Sequence, residues 1–160
     1  MIGLRFEVGG DTINYMGYYP WQDDLDHFSF TYGGRFQPGY NFLCAISKSI
    51  SPDFYVFQIM HAIIINTLLF IFIVRNTRFI FTTLFCLYFV CYFYFTCEIL
   101  REAIAIMIFT YLYRPLMEKR WVIYFLGVAV CTLLHLSAFV LIVFPLFTKI
   151  KFNRLYIILV

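Results

Sequence analysis

The run FYVFQIMHAIIINTLLFIFIV, residues 54–74, decides what kind of protein this is. It holds 21 residues and no charge, and as an α-helix such a run is about 32 Å long. A hydrocarbon core of about 30 Å needs roughly 20 apolar residues per helical crossing. Its interior polar residues, Gln58, His61 and Asn66, need protein partners, because lipid offers none. Arg75-Asn76-Thr77-Arg78 follows at once and ends the run.

Working toward the C-terminus, residues 79–97 form a second apolar run rich in aromatic side chains, closed by Glu98-Ile99-Leu100-Arg101-Glu102. The next apolar run, 103–113, is too short to cross alone. A third helix is therefore expected over about 98–114, with Glu98, Arg101, Glu102 and Ala105 on one face. After Arg114-Pro115 and Glu118-Lys119-Arg120, residues 121–147 make a stretch of 27 with one ionisable group, His135. Cationic loops favour the cytoplasmic side, which puts Arg75, Arg78, Arg114, Lys119 and Arg120 inside. One continuous span over 121–147 would then leave Lys149, Lys151 and Arg154 outside. A break near His135, with the chain turning back, keeps them inside, and that form is expected. A further apolar run begins at 155, and both ends read as cut.

Working toward the N-terminus, residues 1–53 hold six of the nine acidic residues. Gly9-Gly10, Gly33-Gly34, Tyr19-Pro20 and Pro38-Gly39 are turn signals. This segment reads as an extramembranous loop carrying a short interfacial helix over about 38–50, with Phe42, Leu43, Ile46 and Ile50 on one face. The fold class is thus all-α: a polytopic transmembrane protein with an N-terminal external segment and a helical region over 54–160.

Composition supports this class and excludes others. Hydrophobic residues make up 62% of the 160 and charged residues 13%, against roughly a quarter charged in soluble domains. The basic residues punctuate apolar runs and form no continuous patch, so nucleic acid is not an expected partner. Cys44, Cys86, Cys91, Cys97 and Cys131 show no metal-ligand spacing and read as buried free thiols. His27 among Asp23, Asp24 and Asp26 reads as a solvated loop. No metal or cofactor is expected, and no phosphate-cradling fingerprint is present.

Arg101 is the most informative residue. A charge within a membrane is costly by roughly 2.5–3.5 kcal/mol, so it usually has a partner or a task. The plainer reading is a neutralised ion pair between helices; the functional one is an anion clamp, since guanidinium grips phosphate oxygens bidentately. His135 is either a helix-packing hydrogen bonder or a proton-transfer group, and His61 reads as packing. Arg5, Glu7, Asp11 and Tyr15 put a guanidinium and two carboxylates near the first turn signal, as a surface loop or as acid–base groups.

Gly3-Leu4-Arg5-Phe6-Glu7-Val8-Gly9-Gly10-Asp11 with Tyr15 resembles the LRyevGtDy..Y opening of EpsG-type proteins. Gln37-Pro38-Gly39-Tyr40-Asn41-Phe42-Leu43 resembles their EPGy..L element, Arg101-Glu102-Ala103-Ile104-Ala105 their iRqalA, and His135-Leu136-Ser137-Ala138, with Pro145 beyond, their fHxSal. The four elements stand in the family's order and cover nearly the whole chain. Gln37 replaces the usual Glu, Glu102 the usual Gln, and Gly10 a common Thr.

The resemblance implies a multi-pass protein of the bacterial inner (cytoplasmic) membrane, similar to Wzy-type polymerases and serving exopolysaccharide, capsule or O-antigen assembly. It implies a glycosyltransferase-type polymerase joining polyprenyl-pyrophosphate-linked oligosaccharide at the outer face, with the lipid bilayer and other polysaccharide-assembly proteins as partners. Arg101, His135, Asp11 and Glu7 are the expected catalytic residues, and Arg5, Tyr15 and Arg101 the expected substrate-binding ones. The alternatives left open are a non-catalytic glycolipid transporter or flippase-like protein and an inactive fragment.

Overall fold

Pro38 starts a helix because its fixed φ suits the first turn and its missing N–H is not needed there. That helix, α2 (Pro38–Ile50), follows α1 (Gly10–Tyr18) and a short 3-10 turn, Tyr19–Trp21. The computed structural model describes residues 2–5, 8–30, 36–92 and 94–148, and all its regular elements among them are helical. The apolar run from 155 lies outside the described residues.

Asp53 accepts a hydrogen bond from the Tyr55 amide at 3.0 Å and so caps α3 (Phe54–Asn76). This is the one described helix long and apolar enough to cross a membrane, with mean hydropathy 2.2. Then come α4 (Ile80–Leu87), two π-helical turns at Tyr88–Tyr92 and Tyr94–Glu98, and α5 (Leu100–Met117). Ile99, at φ −108° and ψ 58°, interrupts the helix. Glu98 therefore belongs to the π-helical turn, and the expected shared face of Glu98 with Arg101 is not formed.

A tight turn joins α5 to α6 (Trp121–Leu134). Lys119 takes the left-handed conformation, φ 58°. The Arg120 amide donates to Pro115 O at 2.8 Å and the Lys119 amide to Leu116 O at 3.3 Å, the paired bonds of a Schellman ending. The two helices then run back to back, so close that a Cβ on Gly127 would strike the Leu112 side chain.

At His135 the backbone turns extended, φ −150° and ψ 120°. A 3-10 stretch, Leu136–Val143, and the short α7 (Phe144–Phe147) follow. Tyr124 OH donates to Leu141 O at 2.6 Å. In one straight helix those residues would stand about 25 Å apart, so the chain folds back along α6.

Cross-links fix the helix directions. Near one end His61 Nε2–H donates to Leu100 O at 2.8 Å; further along, Tyr111 OH donates to Leu68 O at 2.5 Å. Thus α3 and α5 are parallel and pack on each other, and α4 lies against α3 on the way back, with Tyr92 OH donating to Asn66 Oδ1 at 2.6 Å. Arg75, Arg114, Lys119 and Arg120 gather at one end of the bundle. Residues 5, 12, 97, 101 and 135 belong to the other.

Two apolar clusters hold this together. One joins Ile65 of α3 to Ala103, Met107 and Leu112 of α5 and to Tyr124, Val128 and Cys131 of α6. The other is aromatic and ties Tyr15, Tyr19, Phe36, Tyr40, Phe54 and Phe57 to Leu100. The cysteines described, Cys44, Cys86, Cys97 and Cys131, are free. Cys86 is exposed on α4, none of whose residues is buried, so it corrects the expectation of burial.

Candidate functional site

Arg101 stands in the first turn of α5, and two separate stretches of chain, α1 and residues 36–40, converge on it. Its Nε–H donates to Tyr15 OH at 3.1 Å, and its Nη1–H donates to Gln37 Oε1 at 2.9 Å. The guanidinium carbon lies 4.8 Å from the Phe36 ring centroid, 5.6 Å from Tyr15 and 5.9 Å from Tyr40. The rings also brace one another, with Phe36 and Tyr40 at 5.3 Å and Tyr15 and Tyr40 at 5.6 Å. Electron-rich faces stabilise a cation without neutralising it.

Among the described residues, no carboxylate comes within ion-pair distance of Arg101. The two described ion pairs, Lys48 with Asp24 and Arg120 with Glu118, lie elsewhere. The plainer sequence reading, a neutralised interhelical pair, is therefore not what these residues form. Among the described residues Nη2 has no hydrogen-bond partner, so its donors face no protein acceptor there.

Packing positions this cage. Gly39 permits α2 to approach the end of α6: an added Cβ would lie 2.7 Å from Leu133 O and 2.9 Å from Leu133 C, both unyielding backbone. That contact sets the start of α2 beside the end of α6, which His135 follows. Burial pushes the Tyr40 hydroxyl well above its ordinary value and the Cys44 thiol up to about 12. Both stay neutral.

His135 sits where α6 ends, at the same end of the α5–α6 pair as Arg101. Its imidazole lies within electrostatic range of Glu102 and Arg101. Together with Glu102, Ala105 and Phe109 of α5 and Ser137 and Ala138 of the returning segment, it lines a cavity of about 200 Å³. Its Nδ1 is buried with no hydrogen-bond partner among the described residues, an acceptor open to a hydroxyl donor.

The remaining candidates separate. Arg5 is buried; its Nη2–H donates to Thr12 Oγ1 at 3.3 Å, and its carbonyl accepts from Gln58 Nε2–H at 3.2 Å. Burial pulls its guanidinium below the ordinary value. Thr12 Oγ1–H in turn donates to Cys97 O at 2.6 Å. Gly9, at φ 97°, lies so near that carbonyl that any Cβ would collide with it. This knot fastens the N-terminal segment to the turn before α5, so Arg5 acts as a brace one step removed from the cage. Asp11 is exposed on the first turn of α1 and makes no hydrogen bond or ion pair among the described residues. Glu7 lies outside the described residues.

Sequence reasoning missed Gln37, Phe36 and Tyr40 as members of the Arg101 cage. The signal was present only in the Gln37-Pro38-Gly39-Tyr40 element, whose spacing to Arg101 says nothing of contact. His61, buried and bonded to Leu100 O, is a packing residue.

A family model described as the EpsG family matches residues 1–160. No curated protein matches the chain, and no solved structure does.

Proposed function

This chain belongs to the EpsG family, and on that premise we propose that it is a multi-spanning glycosyltransferase of exopolysaccharide assembly. It joins polyprenyl-pyrophosphate-linked sugar repeats at the outer face of the bacterial inner membrane. Membership supports a membrane protein of exopolysaccharide synthesis; the reaction and its residues are the proposal. The observation that carries it is the cation of Arg101, held by neutral and aromatic groups next to the His135 cavity.

Several features support multiple crossings. Only 28% of the most apolar window of α3 is buried, whereas a soluble core helix would be mostly covered. Phe81, Phe85, Phe89 and Val90 are exposed on the returning stretch, which suits lipid rather than water. The cluster of Arg75, Arg114, Lys119 and Arg120 at one end fits the cytoplasmic side, leaving Arg101 and His135 at the outer boundary.

In the transfer, a hydroxyl of one lipid-linked repeat attacks the anomeric carbon of another. The new glycosidic C–O bond forms as the bond to pyrophosphate breaks. Polyprenyl pyrophosphate leaves with the electron pair, and its oxygens meet the Nη donors of Arg101. The hydroxyl proton passes to His135 Nδ1, with Glu102 nearby to favour the imidazolium. Tyr15 and Gln37 fix the guanidinium in place beforehand, so little reorganisation is needed.

The test is the full-length protein reconstituted in liposomes with short lipid-linked repeats. Longer glycans are expected, and none from Arg101→Gln. Repeats moved across the bilayer without lengthening would replace catalysis by glycolipid transport.

A further inference from the structure

The end of the bundle opposite Arg101 carries a charge that its described residues do not balance. Arg75, Arg78, Arg114, Lys119 and Arg120 stand there with a single acid, Glu118, five positive charges against one negative. Glu118 is already engaged, since it meets Arg120 at 3.6 Å. Arg75 in the last turn of α3 and Arg114 in the last turn of α5 have neither an ion pair nor a side-chain hydrogen bond among the described residues.

Packing brings these two arginines together. The parallel helices α3 and α5 touch through Phe72 and Tyr111, whose ring centroids lie 5.9 Å apart at 65°. Tyr111 OH is held on Leu68 O, which fixes the register. Arg75 and Arg114 each follow this aromatic pair by three residues, one turn on along the same face. Both line one cavity of about 80 Å³, together with Phe72, Asn76, Tyr111 and Tyr113. The Asn76 amide and the Tyr111 hydroxyl already donate to Phe72 O and Leu68 O, which leaves the two guanidinium groups as the main donors. A helix C-terminus accounts for one cation on each helix. It does not account for two that share a cavity without a carboxylate, where like charges repel unless an anion lies between them.

Depth and size select the anion. Arg75 stands 21 residues after Phe54, about 32 Å of helix rise, against a hydrocarbon core of about 30 Å. With Phe54 at one face of the core, Arg75 reaches the head-group level at the other. Tyr113, 59% exposed, suits the aromatic belt of that boundary. The cavity is far smaller than the roughly 300–1,000 Å³ of a drug-sized ligand site, so it suits one small group. Guanidinium grips phosphate oxygens bidentately, and basic pockets between membrane helices on the cytoplasmic side receive lipid head groups. We infer that Arg75 and Arg114 hold the phosphate of an anionic phospholipid in the leaflet at this end of the bundle. The inference uses the membrane placement given above and needs no part of the proposed reaction. The bound phosphate ties the end of α3 to that of α5, the helix that presents Arg101 at its opposite end.

In the test, full-length protein stripped of lipid in a non-ionic detergent is titrated with phosphatidylglycerol and followed by native mass spectrometry. One bound lipid is expected, held at least about tenfold more tightly than phosphatidylcholine. Arg75→Gln and Arg114→Gln should each weaken it at least about tenfold, whereas Lys119→Gln, which removes the same charge outside the cavity, should change it less than about twofold. Arg75→Lys, which keeps the charge and loses the planar fork, should fall between, with the helicity of every variant matched by circular dichroism. Equal losses from Arg75→Gln and Lys119→Gln would overturn the inference, because a diffuse positive field would then attract the lipid. Equal affinity for phosphatidylcholine would overturn it as well. So would displacement of the lipid by millimolar inorganic phosphate, which would make the occupant a soluble anion. The readout is lipid retention, not glycan lengthening, so its failure would leave the proposed reaction untouched.

Discussion

Replacing Arg101 by lysine preserves the charge and removes the geometry. The native guanidinium serves two acceptors from two different nitrogens, Tyr15 OH at 3.1 Å and Gln37 Oε1 at 2.9 Å. An ammonium on a flexible stem reaches one of these but not both, and it has no flat face to lay over Phe36. A lost hydrogen bond to a charged donor costs roughly 1.5–3 kcal/mol, and a lost flat contact with an aromatic face roughly 0.5–1 kcal/mol. The sum is about 2–4 kcal/mol, or about 30- to 1,000-fold in a step that needs the placed cation. Arg101 is half-buried, so water makes up part of the loss, and the expected fall is about 30- to 100-fold. The assay is initial glycan lengthening in liposomes, with protein amount and helicity matched. Tyr15→Phe keeps the ring and removes one acceptor, so about tenfold is expected there. If lysine retained activity within about threefold of arginine, charge alone would suffice and the reasoning from the cage would fail.

Gln37→Glu would place a carboxylate against Arg101 at the position where a neutral amide now accepts its hydrogen bond. Lengthening should fall about tenfold or more as the cation is neutralised, whereas Gln37→Met, which removes the acceptor without adding charge, should cost less; equal losses in the two variants would show that the charge of Arg101 is not what the step needs. Gly39→Ala drives a methyl into the Leu133 backbone, so helicity should persist while activity and thermal midpoint both drop; an unchanged midpoint would mean that α2 can move off α6 freely. Lys119→Gly relieves a left-handed residue and should raise stability by roughly 0.5–1 kcal/mol, read as a higher unfolding midpoint in detergent, whereas a lower one would contradict the turn described.

The helical class was legible because 54–74 is too long and too apolar for anything else, and the family because four short elements keep their order. Arg101 stood out for the cost of its charge. What surrounds it did not, since Tyr15, Gln37 and Arg101 are brought together by long-range packing that leaves no periodic trace. The expected face shared by Glu98 and Arg101 assumed one unbroken helix; Ile99 breaks it, and no proline or glycine there announces the break. The tie from Arg5 through Thr12 to Cys97 was hidden for the same reason, although Gly9 in its left-handed conformation marks where the backbones meet. The reversal at His135 also lacks a local breaker. Its cue was the charge of the residues beyond it.

Binding of a short-chain polyprenyl diphosphate to the full-length protein, followed by phosphorus magnetic resonance, reaches the central claim most directly. The account predicts a saturable shift of the diphosphate signals, with affinity at least about tenfold weaker in Arg101→Gln. Equal affinity in the two proteins would contradict it, because the guanidinium would then hold helices together and receive no anion.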